Sequence, residues 1–310
     1  MKVIAGVDEV GRGPLAGPVL AAAVVLPFDH SIEGLRDSKK LSKKQREALA
    51  PKIKDQAIGI GIGRVEVSTI DKINIREATF MAMGIALNNL PERPDEALID
   101  GSPLNNQKIP NKGIIGGDDI VDSIKAASII AKVTRDRIMS DYGTIFPEYG
   151  FENHKGYGTK AHMMALEKYK ATPIHRRTFK PVMEKMPTLT WLSNQNRIKW
   201  MGEKLAALYL CKKGMKILEM NWVDTLKDEV SIIALQKQTL VFIDVNTTFK
   251  PQRLVDGESQ TRKKIGLLVQ VQTSYTADTK EHLKFRIDSV LIKLKNGSPK
   301  IEYFKGIYEQ

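Results

Sequence analysis

At 310 residues the chain is longer than one hydrophobic core usually serves, which favours two domains. Its 42% hydrophobic and 27% charged residues exclude collagen-like, mucin-like and wholly disordered classes. A formal net charge of +12, from 48 Lys and Arg against 36 Asp and Glu, favours a polyanionic partner such as nucleic acid, with a merely basic soluble protein as the plain alternative.

Cys211, the single cysteine, cannot close an intramolecular disulfide, and a reducing cytosol fits best. The opening residues, Met1 to Glu9, are apolar too briefly for a secretory segment, and no stretch approaches the roughly 20 uncharged residues of a membrane span. Val3 to Asp8 and Val19 to Leu26 read as short apolar strands, joined by a glycine-rich turn from Gly11 to Gly17. Ser68 to Leu90 reads as a helix opened by a capping-box pair, Ser68 and Asp71. Glu96 to Asp100 is strand-like, and Asp119 to Tyr142 is a long helical pattern introduced by Gly116-Gly117-Asp118. Strands followed by helices predict an α/β domain.

The prolines of Lys180 to Thr188 place a boundary near Pro187, giving domains 1–187 and 188–310. Both are basic, with 28 Lys and Arg against 23 Asp and Glu in the first and 20 against 13 in the second. No internal repeat or low-complexity tract intervenes.

Asp8, Glu9, Asp100 and Asp118 all fall at element ends. In open α/β sheets the carboxyl ends of strands are where sites are built, and carboxylates gathered there repel unless a divalent cation neutralises them. Oxygen-only ligands select hard ions, Mg²⁺ before Zn²⁺, and such a cluster suits two-metal phosphodiester hydrolysis. Taken singly, Asp118 serves equally well as a helix cap and Asp100 as a turn starter. Asp8 beside Glu9 is harder to read as structural.

The run Gly6 to Val19, containing Asp8-Glu9-Val10-Gly11-Arg12-Gly13, resembles the opening signature of bacterial ribonuclease HII. The similarity continues through Asp37-Ser38-Lys39-Lys40-Leu41-Ser42, Leu98-Ile99-Asp100-Gly101, Lys125 to Asp136, His154-Lys155-Gly156-Tyr157 and His175-Arg176-Arg177-Thr178-Phe179. The resemblance implies an RNase H-like fold with a mixed sheet and helices, four metal-binding acids at Asp8, Glu9, Asp100 and Asp118, and Mg²⁺ or Mn²⁺ as cofactor. It implies hydrolysis of RNA in RNA/DNA hybrids and nicking 5′ of ribonucleotides embedded in duplex DNA. Gly11, Arg12 and Gly13, with Tyr157, would read the junction between a ribonucleotide and the following deoxynucleotide; only a 2′-hydroxyl distinguishes RNA there. Ser38 and Lys39 are expected on the duplex backbone, and His175 and Arg176 on a phosphate. His154, His162 and His175 lack zinc spacing.

The second half reads as a helix from about Asn196, then strands Met215 to Trp222, Glu229 to Leu235 and Leu240 to Thr247. With Gly202-Glu203, Asn221-Trp222, Val241 to Asn246 and Phe285 to Asp288, it is similar to the YraN-like family, which implies a small restriction-endonuclease-like α/β domain. That family's nuclease-like core would show Glu-Ile-Asp and Glu-Val-Lys or Glu-Val-Arg where this chain has Glu229-Val230-Ser231 and Asp244-Val245-Asn246. Serine cannot replace a carboxylate on a metal, and asparagine lacks the cation. A degenerate, auxiliary nucleic-acid-binding or structural module is therefore expected. Its rivals are an active resolvase-like DNA nuclease in this half, and a non-catalytic hybrid-binding protein for the whole chain.

Overall fold

The computed structural model describes residues 2–105, 107–223, 229–249, 284–295 and 298–309. The chain divides into two compact units, Met1–Ser140 with Gly150–Met186, and Asp141–Tyr149 with Pro187–Gln310.

The first unit opens with β1 (Ile4–Val10) and β2 (Val19–Val25), the latter wholly apolar and wholly buried. A 3-10 turn at Ser38–Lys40 precedes α1 (Lys43–Gln56), which a reciprocal Ser42–Gln45 capping box starts. There follow β3 (Gly59–Val65), α2 (Val67–Asn88), β4 (Glu96–Asp100), β5 (Asn111–Ile114), α3 (Gly117–Ile120), α4 (Asp122–Ile145), whose residues from Asp141 are counted with the second unit, α5 (Phe151–His154), α6 (Lys160–Tyr169) and α7 (Lys180–Met183).

The five strands form one mixed sheet in the order β3-β2-β1-β4-β5. β2 runs antiparallel to both β1 and β3, while β4 lies parallel to β1 and β5 parallel to β4. Because strand side chains alternate between faces, Ala5, Val7, Ala21 and Ala23 pack with Ile70, Ala82, Met83 and Ala86 of α2. Ala22 and Val24 face the other way, onto Leu49 and Ile53 of α1 and Ala127 and Ile130 of α4. The expected α/β class holds for this unit.

Two expectations change. No capping box opens α2: its N-cap is Glu66, which makes no side-chain cap bond, and the helix is interrupted at Asn74 (φ 66°). Asn74 Oδ1 accepts from the backbone N–H groups of Arg76 and Glu77, so it restarts the helix. Asp71 instead accepts from the N–H groups of Arg177 and Thr178. The long pattern after Gly117 is two helices, α3 and α4, because Val121 is extended (φ −104°, ψ 120°).

Unread in the sequence, β3 is built from alternating glycines. A β-carbon on Gly63 would collide with the Ala82 carbonyl oxygen, so α2 seats directly on the backbone of β3.

The second unit contains α8 (Leu189–Asn194), α9 (Ile198–Lys212) and strands β6 (Lys216–Val223), β7 (Glu229–Gln236), β8 (Thr239–Thr248), β9 (Lys284–Lys293) and β10 (Lys300–Glu309). The strands form a mixed sheet in the order β10-β9-β8-β7-β6, antiparallel except between β8 and β9. Ala206, Ala207 and Leu210 bury one side of α9.

Candidate active site

Sheet register builds the acidic centre. Val7 of β1 is opposite Ile99 of β4, so the next residues, Asp8 and Asp100, emerge side by side at the carboxyl ends of two parallel strands. Asp100 pairs with Ile114 at the end of β5, from which Gly116 and Gly117 carry the chain into α3 and Asp118. Ligand oxygens of Asp8, Glu9 and Asp100 lie within 4.8 Å of one another. Asp118 stands beside them: its N–H donates to Asp100 Oδ1 at 3.4 Å, and its carboxylate faces Lys39 Nζ at 3.3 Å.

This arrangement disfavours its own charges. Asp8 is only 4% exposed, and burial, then Glu9 and Asp100, push its carboxyl up to about 8. Hydrogen bonds from Ser128 and the Glu9 N–H pull the other way. Burial also raises Glu9, against the nearby Arg12 guanidinium, and raises Asp100, where Asp118 adds repulsion. An all-carboxylate donor set that resists ionisation by itself fits a hard divalent cation.

Beside the acids lies the turn after β1. Gly11 has φ +94°, and a β-carbon there would run into the Arg135 side chain. A β-carbon on Gly13 would lie 3.6 Å from Tyr157 Cε1, so the half-exposed Tyr157 ring borders the turn. Arg12 is solvent-facing, with its guanidinium 3.7 Å from Glu9.

Three of the other expected substrate contacts are corrected. Ser38 is buried, and its hydroxyl bonds Ser128 at 2.8 Å rather than facing solvent. His175 is 1% exposed and bonds His162, Nε2 to Nε2, at 2.9 Å. Arg176 is fully buried and donates to the carbonyls of Gly11, Arg12, Gly17 and Pro18. A side chain without exposure cannot meet a phosphate, so these residues support the site from within. Lys39 is exposed, as expected of a backbone contact, although here it faces Asp118 and Asp37.

Sequence reasoning gave no supporting role to Ser128 and Arg135, which fall within the matching run Lys125 to Asp136, or to His162, which it weighed only for zinc spacing. Ser128 was findable, since it lies four residues after core Ile124 on α4 and so on the face turned to the sheet.

In the second unit Glu229 is held by its neighbours, and Glu203 is bonded through one oxygen while the other is buried without a hydrogen bond. Lys199 Nζ lies 2.9 Å from both Glu229 oxygens, and Asn221 Nδ2 donates to Glu203 and Glu229. Ser231 is buried and accepts the Val245 N–H at 3.3 Å. Asn246 donates to Asp244 at 2.7 Å.

Comparison with known proteins agrees with this geometry. The ribonuclease H2 of Pyrococcus horikoshii OT3 superposes with a TM-score of 0.52 at 29% identity, covering 59% of this chain and 96% of its own. The RNase HII of Archaeoglobus fulgidus, solved as a PCNA:RNase HII complex, gives 0.50 at 25% identity, covering 60% and 98%. The first unit thus has an RNase H-like fold with an acidic centre at its strand ends. The family model for ribonuclease HII matches residues 5–182, and the chain belongs to the ribonuclease HII family. Ribonuclease HII of Enterococcus faecalis is 55% identical over 183 residues, covering 59% of this chain and 71% of that protein. The counterpart from Acetivibrio thermocellus is 56% identical over 178 residues, covering 57% and 70%. Residues 202–292 match a second family model, the uncharacterised protein family UPF0102, which bears out the YraN-like resemblance. Among the described residues, no helix is long and apolar enough to cross a membrane.

Proposed function

We propose that this protein is an endonuclease that hydrolyses the RNA strand of RNA/DNA hybrids and nicks duplex DNA on the 5′ side of embedded ribonucleotides, leaving 3′-hydroxyl and 5′-phosphate ends. The observation that carries the reading is the convergence of Asp8, Glu9 and Asp100 within 4.8 Å, next to a glycine turn bordered by Tyr157. Asp8, Glu9, Asp100 and Asp118 would hold Mg²⁺ or Mn²⁺, which when bound activates water and stabilises the leaving oxygen. Burial of Asp8 and Asp118 would strengthen their attraction to the ions. Glycines at 11 and 13 let backbone groups approach a ribose edge, and the Tyr157 ring offers a face for the neighbouring sugar. Lys39, exposed next to Asp118, is free to move onto a backbone phosphate once cations neutralise the acids.

We read residues 1–187 as the catalytic part and 188–310 as an auxiliary module that adds positive charge for the duplex, because Lys199 and Asn221 already bind Glu229, and serine and asparagine stand at 231 and 246. The test is incubation of the full chain, in Mg²⁺ and in Mn²⁺, with a DNA duplex carrying one ribonucleotide. A single nick 5′ of the ribonucleotide is expected. Cleavage elsewhere, or none with either ion, would refute the reading.

A further inference from the structure

Arg135 and Arg176 are both fully buried, and both spend their guanidinium donors on backbone carbonyls rather than on a ligand. Arg176 donates to Arg12 O at 2.7 Å, to Gly11 O, to Gly17 O at 3.0 and 3.1 Å, and to Pro18 O at 3.4 Å. Arg135 donates to Ala16 O at 3.1 Å, Pro18 O at 3.1 Å and Lys155 O at 3.0 Å. Ordinarily a buried cation is costly, and several charge-assisted bonds to carbonyl dipoles offset that cost. Burial and the neighbouring Arg135 lower Arg176 only to about 9, so it remains cationic at neutral pH.

The direction of these bonds fixes the opposite edge of the turn. A trans peptide is planar, with its N–H pointing away from its C=O, and the chain contains no cis peptide among the described residues. With the Gly11 and Arg12 carbonyls drawn onto Arg176, the N–H groups of Arg12 and Gly13 point away from it. The same pair of arginines joins two walls. Arg135 holds the glycine turn at Ala16 and Pro18, and also holds Lys155, two residues before Tyr157. Leu15 N–H donates to Gly156 O at 2.8 Å across the same seam, and Arg176 N–H donates to Leu15 O at 2.9 Å.

We propose that Arg135 and Arg176 are positioning residues for substrate selection: they orient the Gly11–Gly13 peptides and set the spacing between that turn and the Tyr157 ring, so that together the two surfaces accept an RNA-to-DNA junction. This inference rests on the reading of the turn and Tyr157 given above. It requires arginine in particular, because only a planar fork reaches several carbonyls at once; lysine keeps the charge and loses the geometry.

The experiment compares the full-length wild type with Arg176→Lys, Arg135→Lys and Asp71→Ala. Asp71 lies outside the seam but accepts from Arg177 N–H and from both the N–H and the hydroxyl of Thr178, which anchors the segment carrying Arg176. For each protein, kcat and KM are measured on a DNA duplex with one ribonucleotide and on a uniform RNA/DNA hybrid, below the melting temperature found by calorimetry. In each arginine variant that melts cooperatively, the ratio of kcat/KM on the first substrate to that on the second should fall by roughly tenfold or more, because junction geometry matters only for the first. In Asp71→Ala the same ratio should fall by about threefold. Equal losses on both substrates in these variants would show a merely structural role and overturn the inference, as would an unchanged ratio. Should the arginine variants not fold, the ratio for Asp71→Ala decides alone. A wild type that does not cut the single-ribonucleotide duplex would instead overturn the parent reading, and this inference with it.

Discussion

The hydroxyls of Ser38 and Ser128 are 2.8 Å apart beneath the acidic centre, both buried, and Ser128 passes the contact on to Asp8. A short polar chain thus runs from the turn carrying Lys39 to the most deeply buried carboxylate of that centre. The bond from Ser128 favours the charged form of Asp8, against burial and against Glu9. Ser128→Ala should raise the Asp8 carboxyl further in the metal-free protein, so Mg²⁺ binding, which must displace that proton, should weaken at pH 7 and recover as pH increases. Mg²⁺ titrations at a series of pH values check this: the pH at which affinity is half lost should move upward, and an unmoved midpoint would separate Ser128 from Asp8.

Asp8→Asn and Asp100→Asn should abolish cleavage while substrate binding is kept, since an amide retains the shape and loses the charge that a cation needs. Without Mg²⁺, binding should improve slightly, because each variant removes one acid that would repel a phosphate when ionised. Gel-shift titration alongside cleavage measures both. Turnover like that of the wild type in either variant would remove these residues from the metal site.

Tyr157→Ala should reduce cleavage at single embedded ribonucleotides more than along a uniform hybrid. Stacking in nucleic-acid complexes contributes about 1–3 kcal/mol, so a loss of roughly tenfold or more on the first substrate is expected. Steady-state kinetics on the two duplexes decide it, with equal losses pointing to folding or general binding.

His162 and His175 make the first unit acid-sensitive. Burial lowers His162 from 6.5 to about 4 and puts His175 well below its usual range. Both are neutral in the folded chain, whereas the unfolded chain takes up protons below about pH 6.5. The unfolded state therefore binds more protons, and stability present above pH 6.5 is lost as pH falls toward 4. For His162 that loss is about 3 kcal/mol at roughly 1.4 kcal/mol per pH unit. His162→Gln, which can still bond but does not titrate, should flatten the fall in stability over this window. Urea unfolding at a series of pH values tests it.

The second unit should have no cleavage of its own. In the full chain, Glu229→Gln should leave ribonucleotide nicking unchanged, and Asp8→Asn should show no residual activity on linear or branched DNA in Mg²⁺ or Mn²⁺. Metal-dependent DNA cleavage that survives Asp8→Asn and disappears when Glu229→Gln is added would reveal a second active site.

Much of this was legible from residue order. Asp8-Glu9 stands out because charge at the end of an apolar strand has few structural uses, and the strand β4 announces itself by Leu98, Ile99 and a terminal Asp100 followed by glycine. β3 was not legible, since Gly59, Gly61 and Gly63 lack the side chains that mark a strand, and the reason for Gly61 and Gly63 is α2 pressing on the backbone. His175 and Arg176 misled for a different cause. A basic run looks the same whether it meets phosphate or buried carbonyls, and the carbonyls that claim Arg176 lie in a turn at the far end of the unit's sequence. Ser38 fails likewise: its neighbours Lys39 and Lys40 are exposed, but a short helical turn rotates the serine inward.

The parallel register between β1 and β4 sets how this enzyme tolerates change. Gly6 apart, where a β-carbon would collide with the backbone of Ser123 and Ile124, side-chain substitutions in either strand alter packing but leave the rungs of the ladder in place, so Asp100 stays level with Asp8. A single inserted or deleted residue within β4 acts otherwise. It would move Asp100 by about 3.3 Å along the strand and turn it to the other face of the sheet, where α2 lies. Loops after Gly101 can lengthen without such a penalty, because Asp118 is placed afresh by β5 and the glycines that follow it. The acidic centre is therefore set out like a ruler read in whole residues: it depends on how many residues lie between Glu96 and Asp100 as strictly as on the acids themselves.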